Sequence, residues 1–585
     1  MKGFLLLVLA LGLHLPKEQV GVPMLAGSRI IEVNRSGGKA FGAGQRNLQP
    51  VLMQFEPGPG KTLVLRPVGV SLADGRRWRG PRMPHREPAS FPILEETDSS
   101  YLIDISGFFS TYPEPFSAIP PNVLRGPASE HEILSVRQTD RYLQVTGHYR
   151  YPHGLDVTAA CHLIFLPRTP MPARSVDPRK AGYNGVEYRR AQGGRAQLSQ
   201  RWDLRGGKTI DFYVDKAFPR AWYPYIKEGI EDWNKAFEAI GLGRVISVRP
   251  EPEDGSLNRL DPLVNMVRYM DGSDEANAKG DALYDPRSGE ILQGDILWWP
   301  AVVDRLRDWR YVQTGAADPQ ARLQDYPMEM LGPMIRYSIC HEMGHVLGLS
   351  HNMGASFAYP ADSLRSVSFT QRFGTAASVM DYARFNHLAT AADVAAGVGL
   401  LPPRLGPYDY YAIACGYADG EPEPGAYCRF EPNRSAAISP DPSAQPESLG
   451  DDLLRSSAAG VANCRALLGL DGLDARRTGL LRTYYYRYLF LALSNVGGVT
   501  DGIPVDGKVR KKTVKFVMDA LLDVPDALSD PVQERRILDE LTGHFLPQRL
   551  VETAGEKALK NHYRQLRKYR KRLPLKNEKD WKYNN

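Results

Sequence analysis

An α+β chain is predicted: a β-rich region first, then a mixed sheet followed by a long helix, and a mostly helical region last. Three observations carry this. Short alternating apolar runs such as Thr62–Val68, Tyr142–Tyr149 and Ala160–Leu166, separated by Gly/Pro clusters, fill residues 20 to about 200. Residues 201–420 follow a strand–helix–strands order that ends in a helix rich in histidine. Residues 451–585 look helical, including Leu480–Leu493 and Val514–Leu522.

In chain order, Met1-Lys2-Gly3 leads into an apolar run, Phe4–Leu15. A basic start before such a run reads either as a signal peptide or as the first strand of the next region, so residues 1–19 are left with both readings. Residues 20–200 form a β-rich, partner-like or prodomain-like layer with no catalytic constellation. His131, His148, His153 and His162 lack ligand spacing and are read as structural. Met171–Gly182 is a Pro/Arg-rich link.

The middle region, 201–420, opens with a strand at Lys208–Val214. Tyr223, Ile226, Ile230, Trp233, Phe237 and Ile240 then recur at three and four, an amphipathic helix closed by Gly241. Strands are predicted at Val245–Val248, Val264–Tyr269 and Glu290–Trp299, the last after a turn at Asp285–Gly289. Pro333 is placed near the first turn of the following helix. Glu421–Gly450, rich in Pro, Ser and Gly, reads as a linker or loop, and 451–585 as the helical C-terminal region with a basic tail.

The helix carries His341-Glu-Met-Gly-His345-Val-Leu-Gly348-Leu-Ser-His351, of the form H-E-x-x-H-x-x-G-x-x-H. Residues four apart share a helix face, so His341 and His345 can hold one ion between them. Gly348 tolerates a left-handed backbone and lets the chain turn, bringing His351 back as a third ligand. Imidazoles suit Zn²⁺, and three protein ligands with an open fourth position define a catalytic rather than a structural ion. Glu342 is placed to take a proton from a water at that ion. With His at 12 of 585 residues, five specified positions coincide by chance on the order of a few times in 10⁸ windows. Cys340 points away around the helix and reads as packing.

Some thirty residues on lies Ser378-Val-Met380-Asp-Tyr382. Together with the histidine motif it resembles the metzincin clan of metallopeptidases, in the S-x-M-x-Y form of astacins and serralysins. The wider stretch is closer still to the bacterial secreted zinc-dependent metalloproteases called Met-zincins. That likeness rests on G-L-S-H-N-M (348–353), A-Y-P-A-D-S-L-R (358–365), S-V-M-D-Y-A-R-F-N (378–386) and G-P-Y-D-Y-Y-A-I (406–413), and covers roughly 200–420. It implies a metzincin-like catalytic domain in which Met380 in a Met-turn floors the site and Tyr382 reaches the zinc or the oxyanion. It also implies that the strand around Ile291–Trp298 is the edge strand above the cleft, and that the protein is secreted, periplasmic or in the cell envelope. Asn352, after the third histidine, departs from several metzincin subfamilies.

The function expected is a zinc-dependent endopeptidase with one catalytic Zn²⁺ and a protein or peptide substrate; bound calcium is left open. The alternatives are a catalytically silent zinc-containing surface binding protein and a zinc amidohydrolase acting on a non-protein substrate. An intact Glu342 weighs against the silent reading, because binding needs no base. Composition, at 43% hydrophobic and 24% charged, excludes a disordered chain. Net charge is +6, but residues 557–585 hold eleven Lys/Arg against two Asp/Glu, and the rest is slightly acidic. That surplus reads as a solvated tail rather than a nucleic-acid surface, and Tyr484-Tyr-Tyr-Arg-Tyr reads as core. No apolar run long enough to span a membrane follows the N-terminus. Of five cysteines, only Cys415 and Cys428 are close enough to suggest a small-loop disulfide. Oligomeric state is left open.

Overall fold

The computed structural model describes residues 12–34, 41–46, 51–71, 77–78, 89–110, 117–190, 194–270, 275–432, 439–470, 473–543 and 545–569. The first half is β-rich: β1 (Gly12–Pro16), β2 (Met24–Val33), β3 (Val51–Pro57), β4 (Thr62–Pro67), β5 (Val70–Ser71), β6 (Arg77–Trp78), β7 (Ala89–Glu96), β8 (Ser100–Asp104), the short helix α1 (Pro121–Leu124), β9 (Glu130–Gln138), β10 (Tyr142–Arg150) and β11 (Asp156–Phe165). Nine of these strands form one antiparallel sheet in the order β1-β8-β7-β4-β3-β2-β11-β10-β9. The sheet curls until its two edges meet. The Gln138 amide accepts from the His14 N–H and donates to the His14 carbonyl at 2.6 Å, standing in for a missing strand pair. Leu13 and Leu15 in β1 are fully buried in this barrel, so residues 12–16 of the N-terminal apolar run are strand. Residues 1–11 lie outside the described residues.

A small sheet, β13 (Arg195–Ser199), β12 (Gly185–Arg189), β6 and β5, leads to the second large sheet. Its strands are β14 (Arg201–Trp202), β15 (Ile210–Val214), β16 (Ile246–Pro250), β17 (Asn265–Tyr269), β18 (Ala278–Asp285) and β19 (Glu290–Trp298). β14, β15, β16, β17 and β19 run parallel, and β18 joins β19 antiparallel. β19 is therefore interior, with β14 and β17 on one side and β18 on the other, which corrects its expected edge position. Ile291, Ile296, Leu297 and Trp298 are all buried, the continuous apolar signature of a strand covered on both faces. The edge strand is β18.

The amphipathic run after β15 folds as two consecutive helices, α2 (Tyr223–Glu231) and α3 (Asn234–Ala239). They bury Ile226, Ile230, Trp233 and Phe237. After β19 come α4 (Val302–Thr314) and α5 (Met328–Val346). α5 starts behind Pro327, so Pro333 sits inside the helix rather than in its first turn. Then follow α6 (Val367–Phe373), α7 (Ala391–Ala396), α8 (Pro407–Tyr417), α9 (Leu453–Leu468), α10 (Ala475–Gly497), α11 (Gly507–Leu522), α12 (Pro531–Thr542) and α13 (Phe545–Leu566). No helix among the described residues is long and apolar enough to cross a membrane.

Cys415 and Cys428 are free, as are the other cysteines, and the Cys428 thiol faces the Pro407 carbonyl at 3.4 Å. Residues 439–449 lie in the stretch read as a loop or linker; they are loop, and packed, since Gln445 and Leu449 are fully buried and the Gln445 amide donates to the Ser439 and Asp441 carbonyls at 2.7 Å. A Ser/Pro-rich stretch can be buried when its polar groups bond one another rather than water. The basic tail begins on α13: its described Lys and Arg side chains from Lys557 to Lys568 are exposed, as the solvated reading has it, while His562 and Leu566 are buried and His562 Nε2 bonds the Leu541 carbonyl. Residues 570–585 lie outside the described residues.

Candidate metal centre

α5 presents His341 and His345 one turn apart, with ring centroids 5.0 Å apart. Behind them the Trp233 indole donates to the Cys340 carbonyl at 2.9 Å and anchors the helix to α3. The helix ends at Gly348, whose φ is +95° and where a Cβ would lie 2.2 Å from the Gln200 carbonyl oxygen. Only glycine meets both conditions. The exit strand is then strapped by residues 182–184: the Asn184 N–H donates to Gly348 O and the Ser350 N–H to Gly182 O. His351 is thereby returned to within 3.1 Å of His345, Nε2 to Nε2.

The ligand atoms of His341, His345 and His351 all lie within 4.8 Å of one another, the one such grouping of His, Cys, Asp and Glu side chains among the described residues. His341 Nδ1 bonds the Val379 carbonyl at 2.7 Å, and His345 Nδ1 bonds the Leu349 carbonyl at 2.8 Å. A carbonyl accepts only, so each Nδ1 carries the proton and each Nε2 lone pair faces the centre. Burial, reinforced by the neighbouring imidazoles, holds His341 well below the ordinary imidazole value and His351 at about 3. Neutral, converging Nε2 atoms are the donor set a Zn²⁺ ion takes. No comparable grouping among the described residues supports calcium.

Glu342 is nearly buried and its Oε2 accepts from the Gly280 N–H on β18 at 2.7 Å. That contact requires β18 to run directly against α5. A Cβ on residue 280 would lie 2.1 Å from the Glu342 carbonyl oxygen and 2.9 Å from His345 Cβ. Burial raises the Glu342 carboxyl above its ordinary value, opposed by His345, the Gly280 N–H and Arg384. β18 is braced from the N-terminal barrel. Arg46 donates to Asp281, next to Gly280, at 3.0 Å, with Asp281 partly exposed, and Arg29 bonds Asp295 on β19 at 2.5 Å between buried side chains. The β-rich layer is thus tied through ion pairs to the strand that holds Glu342.

The 378–382 segment passes beneath α5. Met380 is fully buried, and its Sδ would lie 2.2 Å from a Cβ at Gly344, between the two helical histidines. The segment is clamped by Asp409 of α8, which accepts from Ser378 Oγ at 2.6 Å, Val379 N at 2.8 Å and Gly406 N at 2.9 Å. Asn352 is no ligand. It knots the His351 loop to its neighbours, with its N–H on the Met380 carbonyl and its Oδ1 accepting from Gly354 and Glu431 N–H groups. The Tyr382 ring lies 4.5 Å from that of His351 and 5.5 Å from that of His341. Burial pushes its hydroxyl up to about 12, so it stays protonated at neutral pH. The structure therefore brings together every residue singled out in the sequence, and adds Gly280, Asp409 and Arg384. None of the three had a signal in the sequence: the strand that carries Gly280 shows no apolar alternation, and the other two acquire their places through long-range contacts.

A mixed sheet with an antiparallel edge strand, a helix-borne H-E-x-x-H and a third histidine beyond a glycine turn define a metzincin-like metal centre. The comparisons agree: residues 323–570 match the family model described as Met-zincin, and the histidine triad fits a zinc site of that kind. The match begins after the sheet and runs through α13, so it takes in the C-terminal helices that the motif likeness over 200–420 left out. No curated protein and no solved structure matches the chain.

Proposed function

We propose that the protein is a zinc-dependent endopeptidase. The observation that carries this reading is a buried carboxylate, Glu342, held by the Gly280 N–H of the edge strand beside three converging imidazoles. His341, His345 and His351 would hold the ion, which supplies Lewis-acid polarisation of a carbonyl and acidification of a water. Glu342 accepts the proton of the attacking water and passes it to the leaving amine. Its orientation is set by Gly280 and its raised basicity by burial. Tyr382, protonated and beside His351, donates to the oxyanion as it forms, an interaction worth most in the transition state.

A peptide substrate is favoured by β18. Among the described residues it pairs only with β19, leaving its other edge beside the site for an extended backbone to add to. A binding-only role would not need a base of raised pKa, and a small amide would not need a strand edge. Export, or residence in the cell envelope, is proposed on the motif likeness alone. The test is incubation of the purified, zinc-loaded protein with an unstructured protein, with and without chelator, read by mass spectrometry. Chelator-sensitive internal cleavage supports the reading. Intact substrate alongside hydrolysis of small amides would move it to the amidohydrolase class.

A further inference from the structure

A cavity of about 520 Å³ is lined by His341, Glu342 and His351, and part of its wall is cationic. Arg384 from the segment after Tyr382, Arg487 from α10 and Arg305 at the rim on α4 line it, against the carboxylates of Glu342 and Glu447. Glu447 is shared. Arg487 Nε hydrogen-bonds one of its oxygens, and Arg384 Nε stands 3.9 Å from the other. Arg384 Nε is buried and makes no hydrogen bond among the described residues.

The Arg384 guanidinium is fixed in place. It lies 3.6 Å from the Trp309 ring centroid and 4.3 Å from that of Tyr382. Stacking sets the plane of the group and leaves its N–H edge as the face that recognises something. The backbone at Arg384 is left-handed, with φ +59°. A long side chain keeps such a conformation only where its surroundings enforce it, and such positions cluster at sites of function. Tyr337 and Tyr484 line the same wall, and the Tyr337 hydroxyl donates to the Asp381 carbonyl at 3.4 Å. Side-chain cations exceed carboxylates by one here.

A planar, pre-oriented guanidinium matches a carboxylate. We propose that this cavity binds a carboxylate of the substrate close to the scissile bond, with Arg384 as the residue that selects it. The proposal rests on the peptidase reading. The carboxylate can come from an Asp or Glu side chain within the substrate or from a peptide C-terminus reaching into the cavity.

The test uses the full-length zinc-loaded protein and internally quenched peptides that differ only by Glu or Gln at each residue flanking the scissile bond. Each is made with a free and with an amidated C-terminus. The wild type is expected to favour one Glu peptide over its Gln twin by at least about tenfold in kcat/KM, since a site built to hydrogen-bond a group rejects its absence. In Arg384→Gln that ratio should fall to near one. Because the ratio is internal to each variant, it does not depend on the folded fraction, and the wild-type ratio stands even if the variant fails to fold. A preference that survives amidation assigns a side-chain carboxylate; one carried instead by the free terminus assigns the C-terminus. Equal cleavage of all forms by the wild type overturns the carboxylate pocket and leaves the peptidase standing. No cleavage of any peptide overturns the peptidase reading, and this one with it.

Discussion

Replacing Gly280 by Ala tests how the edge strand and the base are coupled. The added methyl would sit 2.1 Å from the Glu342 carbonyl oxygen and 2.9 Å from His345 Cβ. Neither neighbour is the far end of a flexible side chain, so the strand itself must retreat. Restoring a carbon–oxygen contact of about 3.3 Å requires a shift of about 1 Å. The same shift would carry the Gly280 N–H from 2.7 Å to beyond the roughly 3.2 Å limit of a good hydrogen bond. A misplacement of about 1 Å costs on the order of 10²-fold in rate when geometry carries the catalysis. Overpacking should cost ~1–3 kcal/mol of stability. The three histidines are untouched, so zinc should remain at one per chain. Steady-state kinetics on a fluorogenic peptide, with zinc analysis and thermal melting, gives all three numbers. A variant with wild-type kcat and an unchanged Tm would show that β18 does not press on α5, and would remove Gly280 from the account.

Tyr382→Phe deletes one hydroxyl and should lower kcat by roughly 10–10³-fold with little change in zinc content; unchanged kcat in the same assay would leave Tyr382 as a packing residue. Asp409→Ala strands the Ser378 hydroxyl and the Val379 and Gly406 N–H groups in the interior. It should destabilise by about 2–4 kcal/mol at ~1–3 kcal/mol per stranded group, partly relieved by water, as read from urea unfolding. Arg46→Met removes the brace on Asp281, which is 15% exposed. It should cost ~1–3 kcal/mol and lower kcat through Gly280; a stable variant with full activity would make the barrel a passive neighbour.

The metal centre was legible because its information is local. A four-residue spacing fixes two ligands on one helix face, and one glycine returns the third. The strand that completes the site was not legible. Ala-Lys-Gly-Asp-Ala-Leu-Tyr-Asp (278–285) has no apolar alternation, and it becomes a strand only by pairing with β19, whose own apolar run then lies in the sheet interior. The burial of residues 439–449 was hidden for a related reason. Their burial is secured by amide, hydroxyl and carboxylate bonds, so the sequence carries turn residues where the structure has a buried wall of the cleft. Glu447 illustrates the consequence: its N–H donates to the Tyr382 carbonyl at 2.9 Å, across 65 residues of chain that no periodicity connects. The tyrosines of α10 were correctly legible as core, yet Tyr484 and Arg487 also face the cavity, because the same helix face serves both.

Glu342→Gln, assayed beside the wild type on one fluorogenic peptide with zinc content measured for both, tests whether Glu342 is the base of a zinc peptidase. About one zinc per chain is expected in each protein, with chelator-sensitive cleavage by the wild type and a loss of about 10²–10⁴-fold in kcat for the variant. Full activity in a variant that still holds its zinc would contradict that role.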